Sequence, residues 1–309
     1  MQEITRVGIL GAGALGALYA SLITKAGGAE VYFVARGERH SRLAEQGLVV
    51  NGEPLRVPVH DAEGPAPEAA ADLIVVALKH HHLSEALGDL APLLGPETTI
   101  ISVMNGLVSE EILIDAYGPE RVLPCVALGM DAVREGKRVT FSRPGTLYIG
   151  TEDGSQSARL DRLARAFDAF SVPYTVPPDM KRILWWKFMI NVGMNQSSAV
   201  LGKPYGVFQT SPAAQEIMES LMLEVVRLAE AAGVNLGEQD IADWYEVLNR
   251  LSPEGKTSML QDVEAGRKTE VEVFGGSVVD MGERSGIPTP VNRTFLRLIQ
   301  VLEATAASA

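Results

Sequence analysis

Up to Val176 the chain alternates short apolar runs with stretches of helical periodicity, and from Asp179 onward it shows helical periodicity alone. Val7 to Leu10, Glu30 to Ala35, Asp72 to Leu78, Thr99 to Val103 and Val122 to Ala127 read as strands. Asp72 to Leu78 is nearly all apolar, as a strand covered on both faces of a parallel sheet must be. Helical stretches follow at Ala17 to Lys25, Leu83 to Leu94, up to Tyr117, and at Gln156 to Ala169. Leu48 to Val50 and Leu55 to Val59 flank Asn51-Gly52, a hairpin signal. The runs EGKRVTF and GTLYIG, with Pro144-Gly145 between them, read as antiparallel strands that extend the edge of the sheet. Val172 to Val176 is a last strand before Pro177-Pro178 breaks the chain. The pattern therefore predicts an α/β domain over residues 1–176 and an all-α domain over 177–309.

The first stretch of the helical half, Lys181 to Gly202, is apolar almost all round. A helix without a solvent face is a buried helix. Its exceptions are Lys187, Asn191 and Asn195, four residues apart. At 3.6 residues per turn each such step drifts by only about 40°, so the three share one stripe. A buried ammonium costs several kcal/mol unless it is paired or faces a wet cavity. Either the stripe lines a polar cleft, with Lys187 as a proton donor and the amides holding a substrate, or Lys187 is a structural lysine paired to a carboxylate of a neighbouring helix. Its place where the two domains are expected to meet favours the first reading.

Composition narrows the classes. The chain has 309 residues and a formal net charge of −12. That balance repels a phosphate backbone and argues against nucleic acid as a partner. The single cysteine, Cys125, allows no intrachain disulfide, and no run has the length of a membrane span, so a cytoplasmic protein with no membrane partner is expected. His80-His81-His82 invites a metal reading, but adjacent residues share no face and no further ligand stands at suitable spacing, so no metal is expected.

Chemistry enters after the first strand. Gly11-Ala12-Gly13-Ala14-Leu15-Gly16 is G-x-G-x-x-G between a strand and a helix. The first glycine makes a tight turn, the second admits a pyrophosphate to the backbone, and the third lets helix and strand pack closely. This predicts a Rossmann-type dinucleotide-binding domain, with the phosphates at a helix N-terminus. Where such sites usually carry an acid for the ribose 2′-hydroxyl, the second strand ends in Arg36, with Arg39 close behind. A guanidinium forks onto a 2′-phosphate, so the expected cofactor is NADPH. Lys79 and Asn105 each follow a buried strand, at the carboxyl ends where open α/β sheets bind ligands. Farther on, Ser258 and Asp262 share a helix face, and Thr269 reads as the cap of a helix running to Arg284 with Glu270 in its first turn.

Taken together, GAGALG, Arg36, Lys79, Asn105 in VMNG, the Lys187/Asn191/Asn195 stripe and SMLQDVEAGRKTEVEVFGG resemble the ketopantoate reductase (2-dehydropantoate 2-reductase) family over nearly the whole chain. The resemblance implies NADPH-dependent reduction of a 2-oxo acid, 2-dehydropantoate first among them. It implies Lys187 as the general acid and Glu270 as a hydrogen-bonding partner of the reacting oxygen. Asn191, Asn195, Ser258 and Asp262 would serve the substrate, and Lys79 and Asn105 would stand near cofactor and substrate. Glu270 would pair with Lys187 and tune it. Tyr205 departs from the family pattern, which often has asparagine there, and makes the particular 2-oxo acid the open point. Another 2-oxo acid, a β-hydroxyacid dehydrogenase activity and a non-catalytic NADPH sensor are the alternatives. The apolar residues of the last helix can serve a homodimer.

Overall fold

The computed structural model describes residues 3–306 and divides the chain into two compact units, Met1–Met180 and Lys181–Ala309.

In the first unit, β1 (Arg6–Leu10), α1 (Ala14–Ala26), β2 (Glu30–Ala35), α2 (Gly37–Gln46), β3 (Leu48–Val50), β4 (Glu53–Leu55), β5 (Val59–Asp61) and β6 (Ala71–Val76) lead to α3 (Leu83–Leu90). Then come β7 (Leu94–Ser102), α4 (Val108–Tyr117), β8 (Cys125–Leu128), β9 (Val133–Glu135), β10 (Arg138–Thr140), β11 (Thr146–Ile149), α5 (Ala158–Phe170) and β12 (Tyr174–Thr175). The main sheet has the order β5-β2-β1-β6-β7, all parallel. Its strands were legible because both faces are covered. Leu73 and Val75 join one apolar core while Ile74 and Val76 join the core on the other side. Each such side chain contributes about 1.5–3 kcal/mol by leaving water. Gly8 sits inside β1 because a Cβ there would lie 2.8 Å from the Ile74 side chain.

At the amino-terminal edge of the sheet, Arg162 of α5 is 2% exposed and donates to the Glu97 carbonyl and to Asp72 Oδ1 at 2.5 Å. Asp72 Oδ2 in turn accepts from the amides of Thr5 and Arg6. This staple belongs to stability and lies opposite the strand ends that carry the candidate chemistry.

The Asn51-Gly52 turn forms as expected, with both residues at positive φ and β3 antiparallel to β4. Of the later strands, the pair around EGKRVTF departs from the expected place. β9 and β10 form a hairpin that joins β3 and β4 in a separate four-stranded sheet, with β10 parallel to β3. β11 pairs with β8 and β12 in a third sheet. The β9–β10 hairpin thus does not extend the edge of the parallel sheet, whereas β11 continues it by way of β8, since Val122, just before β8, bridges in parallel to Ile100 of β7 and the Leu123 amide donates to the Ile100 carbonyl. Alternation identified them as strands, but partner choice rests on contacts some 90 residues apart, such as Phe141 N–H to Asn51 Oδ1.

The second unit is helical: α6 (Met180–Ile190), a π turn (Asn191–Asn195), α7 (Gln196–Leu201), α8 (Tyr205–Thr210), α9 (Pro212–Ala231), α10 (Glu238–Leu248), α11 (Ser258–Glu264), a second π turn (Glu272–Gly276), α12 (Ser277–Ser285) and α13 (Pro290–Ala306). Buried polar side chains lock three of these helices. Glu224 of α9 is 2% exposed and accepts from the amides of Val291 and Asn292, two orphan donors of the first turn of α13. Asn292 Nδ2 also donates to Glu224, and Gln196 of α7 donates to Asn292 Oδ1 at 2.9 Å.

Candidate active site

Four strands of the first unit deliver the predicted residues to one edge of the sheet. β1 ends at the glycine turn, β2 at Arg36, β6 near Lys79 and β7 near Asn105. β1 and β6 are neighbours, and the chain leaves them to opposite sides, which makes the crevice between their carboxyl ends a switch point. The turn fits a dinucleotide. Gly11 has φ +105° and lies against the Ala77 carbonyl, where a Cβ would come within 2.6 Å. Gly16 has no alternative, because its Cβ would lie 1.9 Å from the Gly11 carbonyl. A Cβ on Gly13 would meet no atom nearer than 3.7 Å. The bare backbone there and the free amides at the start of α1 are what a pyrophosphate needs. The carbonyl of Ala12 accepts from Arg134 Nη1, so β9 delivers a guanidinium to the turn.

Arg36 stands at the start of α2, as expected, but its fork is occupied. Nε donates to Asp89 Oδ2 at 3.1 Å, and Nη2 donates to Asp89 Oδ1 at 2.5 Å and to the Glu85 carbonyl at 2.7 Å. Arg39 lies nearby with Nη2 3.2 Å from His82 Nε2. Residues His80–His82 form a short 3₁₀ turn opening α3.

The turn that carries Asn105 rests on a chain of hydroxyls. The Met104 amide donates to Ser102 Oγ at 3.2 Å, Ser102 and Ser109 hydroxyls meet at 2.8 Å, and Ser109 donates to Glu110 Oε2 at 2.7 Å. Gly106 at φ +94° allows the chain to double back. Burial raises the Glu110 carboxyl to about 7, against the lowering effect of Ser109 and of the Glu110 and Cys125 amides.

In the second unit the stripe coincides with a backbone irregularity. Lys187 lies on α6, and Asn191 and Asn195 are the first and last residues of the π turn. A π turn takes about one residue more than an α turn. A step of four overshoots a full turn in α-helix and falls short of one in the π segment. The second step therefore offsets the drift of the first and holds Asn195 under Lys187 better than a regular helix would. π turns recur at functional sites. Gly193, in the middle, permits the bulge to press on α9, since a Cβ there would lie 2.5 Å from Met222 Cγ and 2.9 Å from the Met218 carbonyl.

Lys187 is partly buried and makes no ion pair among the described residues. Desolvation lowers its ammonium to about 8, and no carboxylate contributes to the shift. The expected tuning by Glu270 is thus not what sets its acidity. Asn191 and Asn195 are buried. α11 packs on α7 and on the π turn, which brings the helix of Ser258 and Asp262 beside the stripe. Ser258 is exposed at the first position of α11, capped by Thr257 Oγ1, which accepts from the Leu260 amide. Asp262 is buried and accepts from Arg267 Nε at 2.8 Å, so part of its carboxylate is committed to the loop that follows. Glu270 precedes the second π turn, which packs against the first. Thr269 holds its own chain in place instead of capping a regular helix: its hydroxyl donates to Glu303 Oε1 at 2.6 Å and accepts from the Val271 amide. Tyr205 opens α8, with its amide donating to the Gly255 carbonyl and its ring against Gly255. Asp89, Arg134 and the Ser102–Ser109–Glu110 chain were not among the residues picked out from the sequence.

Comparison with known proteins bears on both units. Residues 7–154 match the family described as ketopantoate reductase PanE/ApbA, and residues 179–303 match its C-terminal counterpart. A 2-dehydropantoate 2-reductase of Archaeoglobus fulgidus is 30% identical over 304 residues, covering 98% of this chain and 99% of the relative. One of Halobacterium salinarum is 29% identical over 304 residues, covering 96% and 99%. Among solved structures, a 2-dehydropantoate 2-reductase from Geobacter metallireducens superposes with a TM-score of 0.84 at 28% identity, covering 96% of this chain and 99% of that one. A D-mandelate dehydrogenase with NADH and anilino(oxo)acetate shares the fold, with a TM-score of 0.89 at 20% identity, covering 98% and 100%. A dinucleotide turn in one unit, a lysine–asparagine stripe in the other and a family match across each in chain order have one common explanation: the chain belongs to the ketopantoate reductase family of oxidoreductases.

Proposed function

We propose that this protein reduces 2-dehydropantoate to pantoate with NADPH, the step that feeds pantothenate synthesis. The observation that carries the reading is Lys187. It is a partly buried ammonium, without a carboxylate partner among the described residues, whose acidity burial alone moves to about 8. A proton donor tuned near working pH is what reduction of a ketone needs.

The nicotinamide cofactor would supply the hydride. Gly11, Gly13 and Gly16, with the amides of Ala12, Ala14 and Leu15, hold its pyrophosphate at the start of α1. Arg36 serves the 2′-phosphate, and Lys79 and Asn105 serve the nicotinamide side. As negative charge develops on the carbonyl oxygen, Lys187 neutralises it by giving up a proton from Nζ. Glu270 hydrogen-bonds the same oxygen. Asn191 and Asn195, set on the π turn, orient the substrate, with Ser258 and Asp262 on α11 and Tyr205 on α8 completing its contacts. The reading includes a homodimer through α13, which exposes Leu298 and Val301.

The test is oxidation of NADPH by the purified protein with 2-dehydropantoate, compared with a panel of other 2-oxo acids. Turnover that is confined to another acid would overturn the substrate while leaving the reaction type. Absence of turnover with every acid would overturn both.

A further inference from the structure

We infer that Asp89 is a specificity-determining residue for the cofactor, because it takes up the phosphate-binding edge of Arg36. The inference rests on the proposed reading of Arg36 as the residue at the ribose 2′-position.

A guanidinium has five N–H donors, and it binds a phosphate or carboxylate best through two parallel donors. In Arg36 one such fork, Nε with Nη2, is filled by the two oxygens of Asp89. The second hydrogen of Nη2 goes to the Glu85 carbonyl. Three donors are committed to α3, and the two on Nη1 remain. The guanidinium stays 44% exposed while the Asp89 carboxylate is 10% exposed, so the pair presents its cationic face outward and its anionic face inward.

Two consequences follow for a 2′-phosphate. It can be held by Nη1 but not by the occupied Nε–Nη2 fork. It also feels a carboxylate immediately behind the guanidinium, so the net charge it meets at Arg36 is near zero. Arg39, beside His82, is a cation of the same corner with which no carboxylate pairs among the described residues. An exposed arginine at this position therefore does not secure strong preference for NADPH by itself. Asp89 weakens that preference, while the neutral 2′-hydroxyl of NADH loses little. Asp89 holds Arg36 rather than touching the cofactor, so its effect is on discrimination and not on the hydride step.

The experiment is a double-mutant cycle on the full-length protein. Dissociation constants for NADPH and NADH are measured by cofactor fluorescence for wild type, Asp89→Asn, Arg36→Ala and the pair. Asparagine keeps an acceptor for Arg36 and removes the charge. The expected result is that Asp89→Asn tightens NADPH by about 3- to 30-fold, the effect of one screened charge at short range, and leaves NADH within about twofold. Arg36→Ala should then weaken NADPH more in the Asp89→Asn background than in wild type. Asp89→Ser provides the same comparison if the asparagine variant does not fold. The inference is overturned if neither Asp89 variant raises the NADPH to NADH preference while Arg36→Ala still weakens NADPH. If Arg36→Ala changes NADPH binding in neither background, Arg36 does not serve the 2′-phosphate, and that reading falls together with the inference.

Discussion

The Ser109 hydroxyl donates to the Glu110 carboxylate at 2.7 Å, at the end of a hydrogen-bond chain that begins at the Met104 amide, one residue before Asn105. Every link runs in one direction, because a carboxylate accepts and an amide donates. The carboxylate is therefore the sink that orders the hydroxyls beneath the Asn105 turn, although burial opposes its ionisation.

That opposition has a pH signature. The folded value of about 7 lies above the ordinary carboxylate value of 4.5. The folded state thus holds its proton more tightly than the unfolded chain. The associated stability is fully present below about pH 4.5 and is lost as pH rises through 7, amounting to about 3 kcal/mol. Glu110→Gln removes this titration. In urea unfolding at pH 5 and pH 8, the variant should gain on wild type by roughly that amount at the higher pH. Parallel behaviour of the two proteins would mean that the carboxylate is not strained by burial.

Lys187→Ala should lower kcat by about 10²- to 10⁴-fold, the usual contribution of a general acid, with cofactor binding retained. In wild type, kcat/KM for reduction should fall above about pH 8 as the ammonium loses its proton, and the variant should lack that limb. Stability separates catalysis from structure. The folded value lies below the ordinary 10.5, so the charged lysine costs the fold up to about 3 kcal/mol below pH 8, and the penalty fades as pH rises towards 10.5. Lys187→Met should therefore be inactive yet no less stable than wild type at pH 7. A Met variant that melts earlier would mark Lys187 as structural.

Gly193→Ala tests the π turn. Its Cβ would fall 2.5 Å from Met222 Cγ and 2.9 Å from the Met218 carbonyl. Overpacking of this kind costs about 1–3 kcal/mol, and adding Met222→Ala should recover only part of it because the backbone carbonyl remains. The same variant should raise KM for the 2-oxo acid, since Asn191 and Asn195 move with the turn. Unchanged stability and KM would show that the bulge yields without consequence.

Tyr205 bears on substrate choice. Its ring lies against Gly255, and burial raises its phenol above the ordinary value, so it stays a neutral donor at any working pH. A polar substrate group left unpaired is strongly disfavoured. Wild type should reduce 2-dehydropantoate with modest kcat/KM, and Tyr205→Asn should improve it several-fold. If the substitution lowers activity on that acid, the tyrosine is a compatible contact and the expectation fails.

Several features could be read from the chain alone because they are local. The glycine turn needs particular residues at fixed offsets, and Gly16 in particular tolerates no side chain against the Gly11 carbonyl. The parallel strands reveal themselves because both faces are buried, and the Lys187/Asn191/Asn195 stripe because helical periodicity places polar residues in line. These establish the fold class, the two-part organisation and the family.

What tertiary structure decided is non-local. Asp89 lies 53 positions from Arg36 and looks in sequence like the solvated face of an amphipathic helix, yet it occupies the arginine fork. Arg134 reaches the Ala12 carbonyl from 122 residues away. The β9–β10 hairpin chose β3 over the edge of the main sheet. The π turns escaped because helical periodicity assumes 3.6 residues per turn, and a single inserted residue leaves no mark in composition. Each of these depends on which surfaces meet after folding, and a one-dimensional pattern of apolar and polar positions carries only which residues are to be buried, not what they are buried against.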